Sequence, residues 1–279
     1  MIKHRILIAA CLLGWMLAAA SVRPANAADA SPWVEDLHSA FRLIAGAAKA
    51  NEAPLRAGIE IKMQPGWHTY WRYAGDSGVP PRFDFSGSQN LAAAKVRYPA
   101  PHLFTDETGN TLGYRDGVIF PVEVRPKDPK APVTLRVKID YAICDKLCVP
   151  VEGLAELTLS RGDSTQDAIL TAAEARVPQL VAADALGLSA RRVSGGTKPL
   201  VAVDLKAPTG RPVQIFVEGP TPEWALPIPK PAQGAPEGHR QFGFELDGLP
   251  PGVDPKGRFD LTFTVIDGER AYEVQTRLD

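Results

Sequence analysis

Val133-Thr134-Leu135-Arg136-Val137-Lys138-Ile139-Asp140-Tyr141 alternates apolar and polar side chains without a break. Period two over this length sets one face against a core and the other in water, as in a half-buried antiparallel strand. The pattern recurs upstream, where Leu55, Ala57, Ile59, Ile61 and Met63 alternate with Arg56, Glu60 and Lys62. It recurs near the end, where Phe259, Leu261, Phe263 and Val265 alternate with Arg258, Asp260, Thr262 and Thr264. Pro and Gly punctuate the intervals, as β-sandwiches require. Asp267-Gly268, between two strand-like runs, is a hairpin signal.

One segment breaks the pattern. Asp163-Ser164 offers a cap for a helix over 165–176, and Val177-Pro178 stops it. The predicted architecture is all-β: two sandwich domains, residues 28–162 and 177–279, joined by a short helical linker at 163–176. The second domain has strand-like runs at 201–205, 213–218, 242–246, 259–266 and 271–276, no cysteine, and one histidine, His239.

The start of the chain sets the compartment. Met1-Ile2-Lys3-His4-Arg5 is basic, residues 6–20 are apolar, and Ala25-Asn26-Ala27 places small residues where a signal peptidase reads. This is the pattern of a cleavable secretory leader, residues 1–27. Arg23 and Pro24 break the apolar run, which argues against an anchor. The mature chain is expected to begin near Ala28, in the periplasm. Losing Lys3, Arg5 and Arg23 with the leader takes the formal charge from −1 to −4. Neither value suits a nucleic acid or an anionic membrane surface as partner. No later stretch approaches the ~18 apolar residues of a spanning helix.

Cys11 leaves with the leader, so Cys144 and Cys148 remain. An even number in an oxidising compartment points to one disulfide. On a straight strand two Cα atoms four residues apart sit about 13 Å from each other, and a disulfide wants roughly 5.5 Å. If the bridge forms, Asp145-Lys146-Leu147 must turn the chain back or make one helical turn. The ring it closes is small and removes little unfolded-state entropy. Small, strained or exposed bridges are the more reducible ones. Lys146 favours a thiolate on either neighbour and Asp145 opposes it. Spacing alone leaves a structural bridge as the commoner reading for a secreted pair.

Further motifs shift that balance. Gly66-Trp67-His68-Thr69-Tyr70-Trp71-Arg72 is followed by Gly75-Asp76-Ser77-Gly78-Val79-Pro80-Pro81. Tyr98-Pro99-Ala100-Pro101, Leu112-Gly113-Tyr114 and Phe120-Pro121-Val122 come next, then Tyr141-Ala142-Ile143-Cys144 and Cys148-Val149-Pro150. Over residues 40–160 this series resembles the periplasmic amino-terminal region of the DsbD and ScsB thiol:disulfide interchange proteins, on the ScsB-like side. The resemblance implies an immunoglobulin-like sandwich whose redox-active pair, Cys144 and Cys148, acts as a protein-disulfide reductase. It implies electrons arriving from a membrane-embedded donor of the DsbD or CcdA type and leaving to thioredoxin-fold clients, with no cofactor. It places a cap loop over residues 104–109. Thr105 lies in that loop, Asp106 and Glu107 match its acidic pair, and Thr108 stands where DsbD has an aromatic. Tyr70 matches an active-site tyrosine position. Full-length relatives continue into membrane helices and a thioredoxin-like domain. With the chain ending at Asp279, either a separate membrane protein supplies the electrons or the gene is a truncated relative.

Two other readings stand beside this one. The protein could be a copper-handling protein that uses Cys144 and Cys148 for Cu(I); His68 and His102 could join the two thiolates as copper or zinc ligands, although scattered histidines are usually packing or surface residues. The protein could instead be a non-catalytic binding module with a structural bridge. By default Trp67, Tyr70 and Trp71 are packing aromatics.

Overall fold

The computed structural model describes residues 28–49, 54–106, 109–193, 198–207 and 212–279. The expected leader, Glu107 and Thr108 lie outside the described residues. In chain order the first strands are β1 (Val34–Glu35), β2 (Ser39–Ala45), β3 (Leu55–Met63), β4 (His68–Gly75), β5 (Arg82–Asp84) and β6 (Leu91–Val96). They continue with β7 (His102–Asp106), β8 (Gly109–Arg115), β9 (Gly117–Pro126), β10 (Val133–Cys144) and β11 (Cys148–Leu159). Helix α1 (Asp167–Glu174) follows, then β12 (Gln179–Val181), β13 (Ser189–Val193), β14 (Leu200–Lys206) and β15 (Val213–Glu218). The last are β16 (Lys230–Pro231), β17 (His239–Glu245), β18 (Phe259–Asp267) and β19 (Arg270–Leu278).

These strands form four sheets, ordered β1-β2-β3-β9-β6, β11-β10-β4-β8-β7 with β5 beside β10, β12-β19-β18-β15, and β13-β14-β17-β16. The all-β reading holds. One apolar cluster joins the first two sheets, with Phe41, Ile59, Ile61 and Phe120 facing Trp71, Leu112, Leu135 and Ile139. A second joins the other two, with Val201, Val203, Phe242 and Phe244 facing Ile215, Leu261, Phe263 and Val274. Alternation is the cause: Val133, Leu135, Val137, Ile139 and Tyr141 are all buried, with Arg136 and Lys138 exposed between them. The β3 pattern departs at Glu60, which is buried because Arg42 pairs with it at 2.7 Å. The predicted Asp267-Gly268 hairpin forms, with Asp267 opposite Arg270 and Gly268 at φ +64°.

The helix differs from expectation in length and setting. It begins at Asp167, and Gln166 rather than Asp163 or Ser164 occupies the N-cap. Ser164 is drawn away because its hydroxyl donates to the Ala45 carbonyl at 2.6 Å. The helix packs on the first sheet rather than bridging open space. Leu170 is fully buried, and a Cβ at Gly46 would meet it at 2.8 Å. Arg56 of β3 ties down both ends, reaching Asp167 at 2.5 Å and Glu174 at 2.6 Å. Among the described residues no helix is long and apolar enough to cross a membrane.

Candidate functional site

β10 and β11 form one hairpin whose last pair is Cys144 opposite Cys148. The three residues between them turn the chain back as the spacing demanded, and the Asp145 amide donates to the Leu147 carbonyl at 3.4 Å. The cysteines are bonded, with Cα atoms 4.2 Å apart. The two sulfurs are not equivalent. Cys144 is 2% exposed, whereas Cys148 is open to solvent. Leu147, at the tip, is 75% exposed.

The strand register extends the pair into a row. Cys144 is opposite Cys148 on one side and His68 of β4 on the other, and His68 is in turn opposite Arg115 of β8. Directly opposed residues on antiparallel strands share a face of the sheet. Tyr70, two residues beyond His68, therefore projects from that same face. Its hydroxyl lies 2.7 Å from the Cys144 sulfur and 3.3 Å from the Cys148 sulfur. A disulfide sulfur carries no proton, so the tyrosine donates to both. Tyr70 is only 3% exposed and packs with Ala74, Ala142 and Cys144. The Thr69 hydroxyl donates to the Ala142 carbonyl at 2.8 Å and pins β4 to β10 beside the sulfurs.

The surrounding loops hold the ring in place. Gly78, at φ +129°, lies against it: a Cβ there would sit 2.3 Å from Tyr70 Cε1. Asp76 anchors that loop by accepting from the Asn110 amide at 2.8 Å. His68 meets Tyr70 edge-on, with centroids 5.5 Å apart, and Phe104 of β7 lies against His68 at 5.2 Å. The Arg115 guanidinium lies over the Phe104 ring, 5.0 Å from its centroid.

Of the residues expected at the site, Cys144, Cys148 and Tyr70 come together. Thr105 sits on the neighbouring β7–β8 hairpin, where its hydroxyl donates to Asn110 Oδ1 at 2.8 Å. The Asp106 backbone pairs with Gly109 in that hairpin. The expected cap residues Glu107 and Thr108 fall outside the described residues. His68 and His102 do not meet: His102 lines a cleft with Arg176 and Glu269, and burial beside Arg176 lowers its pKa. Among the described residues no three His, Cys, Asp or Glu side chains gather as a metal site. Phe104 fell inside the expected cap loop and Gly78 inside a quoted motif, but neither was given a role at the site from sequence. What a loop aromatic or a loop glycine will touch carries no local signal until tertiary contact supplies it.

Residues 38–160, which hold this whole arrangement, match the family model described as thiol:disulfide interchange protein DsbD, N-terminal. The crystal structure of the N-terminal periplasmic domain of ScsB from Proteus mirabilis aligns with a TM-score of 0.69 at 20% identity, covering 90% of this chain and 98% of that one. At that identity the likeness speaks for the fold. Zebrafish RET cadherin-like domains 1 to 4 align at 8% identity and a TM-score of 0.22, over 89% of this chain and 63% of that one, and carry no argument. No curated protein matches the sequence.

Proposed function

Residues 38–160 belong to the DsbD N-terminal family of thiol:disulfide interchange proteins, and from that premise we propose that this chain is a periplasmic electron relay acting through Cys144 and Cys148. A membrane-embedded reductase delivers two electrons and two protons, cleaving the Cys144–Cys148 bond to a dithiol. The dithiol then reduces a client disulfide, with thioredoxin-fold proteins as the client class. The Cys148 thiolate attacks a client sulfur, forms a mixed disulfide and displaces one client thiolate. Cys144 then attacks Cys148, restores the internal bridge and releases the second client thiolate, which takes up the proton Cys144 gives away. The stretch expected as a cap, residues 104–109, shields the pair between encounters. The second half of the chain, residues 177–279, is a second sandwich domain that supplies no cysteine to the reaction.

The observation that carries this reading is the asymmetry of the pair. Cys148 is exposed, Cys144 is buried, and a tyrosine hydroxyl donates to both sulfurs. A staple has no use for a hydrogen-bond donor aimed at its sulfurs, whereas a thiolate does.

The test has two arms. Equilibration against a dithiothreitol or glutathione series is expected to give a potential well above the roughly −300 mV below which structural bridges of exported proteins lie. Cys144→Ser is expected to trap mixed disulfides with periplasmic proteins through Cys148, and Cys148→Ser to trap far fewer. A potential in the structural range, or no trapping by Cys144→Ser, would make the bridge a staple and the protein a binding module.

A further inference from the structure

The residues that follow Tyr70 on β4 contact the other sandwich. Trp71 is fully buried in the first core, and Phe216 of β15 meets it there with centroids 6.2 Å apart. Phe216 is itself 1% exposed and belongs to the first core, although its strand belongs to the other pair of sheets. Arg72 reaches across to two carboxylates. Its guanidinium meets Glu218 at 2.7 Å and Glu273 at 2.6 Å, with a second bond from Nε to Glu218 Oε1 at 2.9 Å. The three side chains are 27%, 18% and 22% exposed, so water screens the triad only in part. The Tyr73 hydroxyl donates to the Leu226 carbonyl. Three consecutive residues after Tyr70 are thus held by residues beyond position 212.

We propose that the sandwich built from β12 to β19 is a positioning element of the redox pair, and that Arg72 is the positioning residue through which it acts. This inference rests on Cys144 and Cys148 being redox-active. A hydrogen bond is worth most to a thiolate when its donor cannot drift, because weakening sets in steeply with distance and angle. The ends of β4 are fixed differently. At its start, Thr69 and the pairing of His68 and Thr69 with β10 hold the backbone. Beyond Tyr70 the ladder to β8 is irregular until Gly75. Through that irregular stretch, Arg72 and its neighbours take their fixed positions from the second sandwich. The ion triad therefore stands where ladder hydrogen bonds would otherwise hold the strand, two residues from the hydroxyl that touches both sulfurs.

Among the described residues, the ionisable groups beside the pair include Asp145 and Lys146 of its own turn, His68 and Tyr70 of β4, and Arg115 of β8. The ion pairs of the triad join Arg72 to Glu218 and Glu273, so altering the triad substitutes none of the groups beside the pair. The experiment measures alkylation of reduced Cys148 against pH in the full chain, together with thermal melts. Arg72→Gln leaves two carboxylates facing each other and risks unfolding, so Arg72→Gln/Glu218→Gln/Glu273→Gln, which removes every charge of the triad, is made beside it. Both are expected to move the alkylation profile toward higher pH, by up to the roughly tenfold loss of rate at pH 7 that one pKa unit represents. Arg72→Lys, which retains a cation, is expected to recover part of it. In a Tyr70→Phe background the triad substitutions are expected to have no further effect, since coupled residues are non-additive.

A lowered melting temperature with an unchanged alkylation profile in the folded triple variant would overturn the inference. So would an equal shift with and without Tyr70. Insulin or glutathione-disulfide reduction by the unaltered protein is assayed in parallel. If that activity is absent while the profile still responds to Arg72, the relay reading fails and the positioning role stands.

Discussion

Tyr70 is a large aromatic side chain with 3% exposure, and its one polar atom is spent on sulfur. Disulfide sulfur is a weak acceptor, so the hydroxyl contributes little to the oxidised fold and much more to a thiolate. Tyr70→Phe is accordingly expected to leave the melting temperature of the oxidised protein nearly unchanged. It is expected to slow alkylation of the reduced protein about tenfold at pH 7, one pKa unit. Iodoacetamide kinetics and a thermal melt of the same sample decide it, and an unchanged rate would remove Tyr70 from the site. Gly78 provides a second handle on the same ring. A Cβ would collide with Tyr70 Cε1, and φ +129° is a conformation that L side chains rarely adopt. Gly78→Ala is expected to reproduce the kinetic defect and to cost about 1–3 kcal/mol as well. At this scale the sequence showed the cysteines outright. Tyr70 was legible only by resemblance, and Gly78 not at all, because nothing local says which ring a loop glycine will cover.

The hairpin of β10 and β11 pairs twelve residues on each strand, and the bridge sits at its closed end. Cleaving it frees only three intervening residues, already held in a turn. In the chain-entropy picture so small a ring contributes about 2 kcal/mol at most. The melting temperature of the reduced protein is therefore expected to fall by only a few degrees, with far-ultraviolet circular dichroism unchanged; collapse of the fold would mark a staple. A different tie fixes the helix. The Asp29 carboxylate accepts from the Thr165 amide and hydroxyl, both at 2.8 Å, and these bonds hold its pKa below the usual 3.8. A lowered folded pKa gives stability that is present above the unfolded value and lost as pH falls through the folded one. Asp29→Ala is therefore expected to lower the melting temperature at pH 7 and to narrow its gap from the parent below about pH 4. A gap independent of pH would show that the carboxylate plays no part. The long strands were readable because period two accumulates over many residues. β12 was not, since three residues make no period and its parallel pairing with β19 is non-local.

On the scale of the whole molecule, the two pairs of sheets are joined by apolar contact as well as by charge. Phe216 inserts into the first core, and Ile228 and Ile266 pack against it from the same side. Two sandwiches sharing buried surface in this way are expected to unfold as one cooperative unit. Phe216→Ala should cost about 3–5 kcal/mol, and because the lost contacts lie between the sandwiches it should also split the calorimetric transition in two. Leu261→Ala, inside the second core, should lower stability without splitting it. Two resolved transitions in the unaltered protein would show that the halves are independent.

The sequence by itself determined that the chain is built of antiparallel strands, since alternation depends only on a strand having two faces. It also determined that a bond between Cys144 and Cys148 needs the chain to turn back or make one helical turn between them, since that follows from chain geometry. Tertiary structure alone decided which sulfur faces solvent, which ring lies on the pair, and that residues after Tyr70 are gripped by strands more than a hundred positions away. Those outcomes depend on register and packing between distant strands. The energy of such a contact is shared by both partners, and neither stretch of sequence contains it alone.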